Sequence, residues 1–289
     1  MMTHKFGSCL WLKEKPQETA DFYLSVFEDA RQTNISYFVD DLHGSKGDIL
    51  TITLELGGHE FFLLNGGPDF TPTPAVSYVV TVATEAGLRK LWAQLSAEGD
   101  VLMELSELPG IGLFGWTNDR YGFSWQLKLA KGKQTITPAL LFANELYGRA
   151  DEAMTYWFDA FGQGEVLSRV PDSNGNIQIA EFQLYDQHFY SMDSEVSHNF
   201  GFSMANSFFV YCENQKEIDR LWQRIALDGA EYPCGWMQDK FGVAWQTVTE
   251  DMNQLFDAAD FEKAYQTTMA MYEMKKIDIE LLRKIHREA

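Results

Sequence analysis

Two stretches of this chain set the same side chains at the same intervals. Gly115-Trp116, Asp119, Gly122 and Trp125-Gln126 recur as Gly235-Trp236, Asp239, Gly242 and Trp245-Gln246, with six of thirteen positions identical between 115–127 and 235–247. A carboxylate, an amide and two indoles at fixed spacing could supply a general base, a polar contact and aromatic walls. Each also has a plainer use. Asp and Gly three residues apart suit an Asx-type turn between strands, and that reading is favoured over a base for both Asp119 and Asp239. Trp125 and Trp245 precede Gln126 and Gln246 directly. On a strand the indoles and the amides therefore face opposite sides. The indoles are read as packed against helices, while each buried amide needs a hydrogen-bond partner, either a ligand or a neighbour. Trp116 and Trp236 either fill a core or wall a pocket.

Other candidates are weaker. Cys234 stands just before Gly235, but a reactive thiol needs a nearby base or cation, and no spacing supplies one. Cys9, Cys212 and Cys234 form no CxxC, and an odd count gives no disulfide framework. Asn65, followed by Gly66-Gly67, is either a polar pocket group or the end of a strand, and without a following Lys-Ser/Thr the glycine pair is no phosphate loop. No GxSxG, HExxH or Walker motif is present.

The elements that must hold these residues also repeat. Pro16–Phe27 and Ala150–Phe161 read as amphipathic helices, the second ending at the C-cap residue Gly162. Hairpins follow, 49–64 around Gly57-Gly58 and 177–192 around Asp186. Strand-like segments 76–82 and 207–212 lead into second helices. These carry the stripes Leu88, Leu91, Trp92, Leu95 and Ile218, Leu221, Trp222, Ile225, with Thr84 and Asn214 as N-caps. Strands are also expected at 6–12 and 136–142. The first copy has about ten extra residues between Gly99 and Gly115, a loop or a longer strand pair. The predicted class is α+β, with β-α-β-β-β modules and none of the helix–strand alternation of a Rossmann-type domain. Residues 251–289 are expected to form a helical packing arm in which Asp278 is an N-cap and Ile277 and Leu282 a hydrophobic staple.

At 289 residues with 45% hydrophobic and 14% aromatic residues, the chain can build two packed cores. A formal charge of −19 argues against nucleic acid and against anionic membranes as partners. The start, MMTHKFGSCLW, has no signal-like apolar run, and no stretch approaches membrane-spanning length. A cytoplasmic protein is expected.

CLWLKEKPQETADFYLSVF, the LNGGP at 64–68, both GWxxDxxGxxWQ motifs and MKKIDIELL at 274–282 together resemble a tandem PhnB-like protein. That family lies within the vicinal oxygen chelate (glyoxalase/bleomycin resistance/dioxygenase) superfamily. The resemblance implies two glyoxalase-like domains, 1–131 and 132–250, each of paired β-α-β-β-β modules forming a U-shaped sheet around a cup. It also implies dimerisation, either as an intramolecular pseudo-dimer or as a homodimer. Family sequences are often named 3-demethylubiquinone-9 3-methyltransferase. A methyltransferase of the common type needs a glycine-rich strand-to-helix turn in a parallel sheet, and the chain has none.

Active superfamily members hold a divalent metal with His, Gln and Glu from the first and last strands of a module. The resemblance places Ser8 and Pro138 at the first-strand position and Gln126 and Gln246 at the last. Serine is a poor ligand, proline none, and glutamine offers a neutral oxygen. None of His4, His43, His59, His188, His198 and His286 falls at a mapped position. No metal and no cofactor is therefore expected, and no catalytic residue is assigned. The cup-lining candidates are Ser8, Asn65, Trp116, Gln126, Asp193, Trp236 and Gln246, with Asp193 standing where the first copy has Asn65. The expected function is metal-free binding of a small apolar or aromatic molecule. The alternatives are a metal-dependent lyase, isomerase or dioxygenase, and an interaction protein without a ligand.

Overall fold

The computed structural model describes residues 5–289, apart from the side chain of residue 258, so His4 lies outside the described residues. Four modules follow one another. The first is β1 (Phe6–Leu12), α1 (Pro16–Val26), β2 (Arg31–Tyr37), β3 (Ile49–Leu56) and β4 (His59–Asn65). The second is β5 (Val76–Val82), α2 (Glu85–Leu95), β6 (Asp100–Leu108), β7 (Gly112–Asn118) and β8 (Ser124–Leu129). The third is β9 (Thr135–Ala143), α3 (Ala150–Phe161), β10 (Glu165–Pro171), β11 (Ile177–Leu184) and β12 (Gln187–Ser194). The fourth is β13 (Asn206–Tyr211), α4 (Gln215–Ala226), β14 (Ala230–Glu231), β15 (Trp236–Gln238) and β16 (Ala244–Val248). The arm consists of α5 (Met252–Leu255), α6 (Phe261–Tyr272) and α7 (Ile279–Glu288).

The class is α+β, with two eight-stranded sheets. Their strand order crosses the sequence halves. The first sheet runs β14-β15-β16-β13-β1-β4-β3-β2, joining the first module to the fourth. The second runs β10-β11-β12-β9-β5-β8-β7-β6, joining the third to the second. The seams are antiparallel, β1 on β13 with Ser8 opposite Phe208, and β5 on β9 with Tyr78 opposite Pro138.

The helices form as their stripes predict. In α2, Leu88, Leu91 and Leu95 are buried, each contributing about 2 kcal/mol relative to exposure. Thr84 Oγ1 accepts the Gly87 N–H at 3.1 Å, and Asn214 caps α4 through the Glu217 N–H at 3.2 Å. Glu217 also accepts the Glu213 N–H, one residue before the cap. Asp278 caps α7 through the Leu281 N–H at 2.9 Å, and Ile277 and Leu282 are fully buried. Two strands, β2 and β10, lie in segments for which the sequence patterns named no residues. Both sit at sheet edges and are largely exposed; β2 is mostly polar, whereas β10 exposes Val166, Leu167 and Val170. The extra residues of the first copy form the long β6–β7 hairpin.

Candidate functional site

The repeated motif separates into scaffold and surface. Asp119 is buried and accepts four hydrogen bonds: Oδ1 from the N–H groups of Tyr121 (2.8 Å) and Phe123 (3.1 Å), Oδ2 from the Tyr23 hydroxyl (2.7 Å) and Trp125 Nε1 (2.8 Å). Asp239 does the same with Phe241 N–H (2.9 Å), Val243 N–H (3.0 Å), Trp157 Nε1 (2.8 Å) and Trp245 Nε1 (3.0 Å). Each aspartate thus closes a turn and fastens it to the first helix of its own half, α1 or α3. Gly122 and Gly242 sit at φ +87° in these turns, a conformation that glycine adopts without strain. Burial raises the pKa of both carboxyls from the usual value, and the four donors lower it in part. With every lone pair committed inside the core, neither is placed to act as a base. Trp125 and Trp245 are fully buried.

The glutamines face the other way. Gln246 Nε2 donates to Ser207 Oγ at 2.7 Å, and Gln126 Nε2 donates to Ser77 Oγ at 2.9 Å. Strand alternation carries this through the first sheet. On β1, Phe6, Leu10 and Leu12 enter the helix-side core, while Cys9 and Trp11 point to the opposite face. That face, with the 38–43 segment and the arm, encloses a cavity of about 1040 Å³.

Its walls are aromatic. Trp11 meets Trp236 edge-on with centroids 5.8 Å apart, and Phe62 lies 4.3 Å from Phe209. Phe70 backs Trp11 at 4.9 Å. LNGGP now has a structural use. A Cβ on Gly66 would overlap the Trp11 indole, and Trp11 Nε1 donates to the Gly67 carbonyl at 2.8 Å. Met252, Phe256, Met271 and Tyr272 of the arm complete the lining. The arm is fastened to the fourth module by the Gln215 side chain, which pairs with the backbone of Ile277 and Ile279, and within the arm Arg283 holds Asp251 through two bonds of 2.7 and 3.1 Å.

Three of the seven candidate residues, Asn65, Trp236 and Gln246, line this cavity together. Trp116 and Gln126 occupy the matching face of the second sheet, where Trp116 Nε1 donates to Ser124 Oγ at 2.7 Å. Ser8 and Asp193 lie on neither cup face. Ser8 shares the helix-side face of β1 with Phe6 and Leu10, buried, with its Oγ 2.8 Å from His59 Nε2; His59 Nδ1 lies 3.2 Å from Gln187 of the other sheet. The first-strand alignment was thus one residue out of phase with the cup, which takes Cys9 instead. Asp193 caps the approach to α3, accepting from Gly148, Ala150 and Ile177 N–H. Cys9, Trp11, Phe62 and Phe209 were missed. Alternation sets Cys9 and Trp11 on the face opposite Phe6 and Leu10, but it does not say which of the two faces meets the helices.

The residues present do not fit a resident divalent metal. The donors that stand together on the cup face of the first sheet are the Cys9 thiol, the Ser207 hydroxyl and the Gln246 amide. Burial pushes the Cys9 thiol up to about 12, and the hydroxyl and the amide beside it are neutral, so these three donors bring no carboxylate to a divalent ion. Among the described residues no group of three or more His, Cys, Asp and Glu is placed to hold a metal ion. Burial also pushes Cys234 at the cavity wall up to about 11, which removes it as a nucleophile near neutral pH.

The sequence profile of the 3-demethylubiquinone-9 3-methyltransferase family matches residues 4–128 and again 134–248. The chain belongs to that family. A Bacillus cereus PhnB protein is 36% identical, covering 44% of this chain and 100% of its own, with a TM-score of 0.41. Glyoxalase I from Zea mays is 11% identical and superposes with a TM-score of 0.56 over 93% of this chain and 96% of its own. A Bacillus subtilis protein described as a dioxygenase is 13% identical, with a TM-score of 0.53 over 97% and 95%. These two long superpositions establish a tandem glyoxalase-like fold for this family member. No curated protein matches the chain. No helix among the described residues is long and apolar enough to cross a membrane.

Proposed function

We propose that this family member binds one small, largely apolar or aromatic molecule in the cavity of the first sheet, without a metal. The observation that carries this reading is the cavity itself: about 1040 Å³, walled by Trp11, Phe62, Phe209 and Trp236, with the Gln246 amide among a few polar groups. That is the usual composition of a small-molecule site, an apolar enclosure with sparse polar contacts. The methyl transfer in the family's name finds no support in the chain's motifs. Metal-assisted lyase, isomerase or dioxygenase chemistry is disfavoured by a donor set of buried thiol, hydroxyl and amide without a carboxylate.

The test uses N-phenyl-1-naphthylamine, a neutral fluorophore that brightens in apolar surroundings. Saturable binding at one site per chain is expected. Trp236→Ala should weaken it about tenfold, the usual scale for removing a buried aromatic contact, and Trp116→Ala should leave it unchanged. Absence of saturable binding, or equal loss in the two variants, would overturn the assignment.

A further inference from the structure

The charge pattern of the cavity narrows what it would hold. Among the described residues lining it there is no Lys and no Arg. An anion entering it would shed its hydration with no fixed positive side chain to replace that water, a penalty buried charges avoid only by pairing. Two carboxylates, Asp69 and Asp257, stand in the lining at exposed positions, and neither forms an ion pair with a lysine or arginine among the described residues. Among the described residues the Asp257 side chain accepts only a local N–H, that of Ala259 at 2.9 Å.

The rings point the same way. Elsewhere the protein sets its own cations on its aromatic side chains: Lys128 on Tyr190, Arg120 on Phe22, Arg149 on Phe241, Lys240 on Tyr156 and Phe241, Lys46 on Phe261 and Lys5 on Tyr185. None of those contacts uses Trp11, Phe62, Phe209 or Trp236. Among the described residues the rings of the cavity wall meet one another and Phe70 but carry no lysine or arginine, and a desolvated ring, tryptophan above all, attracts a cation. The formal charge of −19 adds a long-range field that concentrates cations near the surface.

We propose that the cavity selects an organic cation: a bulky aromatic or apolar body carrying a positive charge, such as a hydrophobic amine or a quaternary onium group. The body fills the space between Trp11, Trp236, Phe62 and Phe209. The charge is held by ring faces and by the field of Asp69 and Asp257. This rests on the binding role proposed above and specifies the ligand class.

The experiment measures three probes of similar shape on the full-length protein by calorimetry: tetraphenylphosphonium, the neutral triphenylphosphine oxide, and tetraphenylborate. The cation should bind about tenfold more tightly than the neutral probe, the scale of a desolvated cation–π contact, and the borate should not bind. The double variant Asp69→Asn/Asp257→Asn should weaken the cation about fivefold, in keeping with exposed charges, and leave the neutral probe unchanged. Added salt should weaken the cation alone. Equal affinity for cation and neutral probe, binding of the borate, or failure of all three probes while the naphthylamine still binds would overturn the cation selectivity and leave the cavity's binding role standing. Failure of the naphthylamine as well would overturn both.

Discussion

Gln126 and Gln246 hold the same post in the two sheets, each on the last strand of a module and each donating to a serine on the neighbouring strand. Around them the surfaces part. Aligning the modules by register sets Trp11 against Leu141, Phe62 against Tyr190, Phe209 against Val79 and Val248 against Lys128. In the second sheet Lys128 lies over the Tyr190 ring at 4.8 Å and donates to its hydroxyl at 3.2 Å, so that cup carries its own cation on its own aromatic. Among the described residues the cup of the first sheet keeps several rings and is lined by no lysine or arginine. The arm widens the difference. β16 belongs to the first sheet, and residues 251–289 follow it directly, so the arm walls that cup. Two equivalent floors have acquired different contents because the pairing of first module with fourth puts the end of the repeat, and whatever follows it, on one sheet.

What the copies share should break equally. Asp119→Ala strips acceptors from two backbone N–H groups, an indole and a phenol, and Asp239→Ala does so for two N–H groups and two indoles. Each substitution should cost about 3–5 kcal/mol of stability, since buried donors without acceptors carry the full desolvation penalty. Urea unfolding at neutral pH measures it. A loss in one copy under half that in the other would show that the keystone role has drifted between them.

The repeat made this scaffold legible. Asp with Gly three residues on, and Trp next to Gln, give the turn and the two faces from spacing alone. The stripes of α2 and α4 were equally readable. The face of β1 was not. Six of its seven residues are buried, so apolar character does not mark which side meets helices and which meets the cavity. A one-residue error in phase then exchanges Ser8 for Cys9. β2 and β10 escaped because edge strands bury little: β2 is mostly polar, and the apolar residues of β10 stand exposed without alternation, so neither shows a buried face. The exchange of modules between halves was hidden for a different reason: modules with the same pattern offer the same edges, and the sequence does not rank one partner above another. The arm's part in the cavity was hidden too, because Met271 and Tyr272 reach it from a helix whose pattern speaks only of packing.

What the cups do not share should break unequally. Gln246→Leu and Gln126→Leu each leave a buried serine hydroxyl, Ser207 or Ser77, without its donor. Each should destabilise the protein by about 1 kcal/mol. Only Gln246→Leu should weaken the naphthylamine, by about fivefold if the amide contributes one ordinary hydrogen bond. If neither variant alters its affinity, the amide is a strut in both sheets and the polar contact assigned to it in the first is wrong.

The smallest effect lies outside the cups, where the first helix of each half meets its turn. In the second half Glu152 takes Arg149 at 2.8 Å and Lys240 at 2.7 Å. In the first, Glu18 takes Lys15 at 3.1 Å, while Arg120 reaches Glu98 instead. Hydrogen bonds from Arg149 and Lys240 lower the Glu152 carboxyl from 4.5 to about 2. Its folded-state value therefore lies below its unfolded one. The stabilisation is present above about pH 4.5 and is lost as pH falls towards 2. The side chain is 46% exposed, so solvent screening holds the contribution below about 1 kcal/mol. Glu152→Gln should lower the urea midpoint slightly at pH 7, by an amount that shrinks between pH 4.5 and 2, and Glu18→Gln should lower it less, because it breaks one exposed pair rather than two. Equal shifts at pH 7 would mean that Lys240 adds nothing to the pair, and that the two turns differ in geometry without differing in strength.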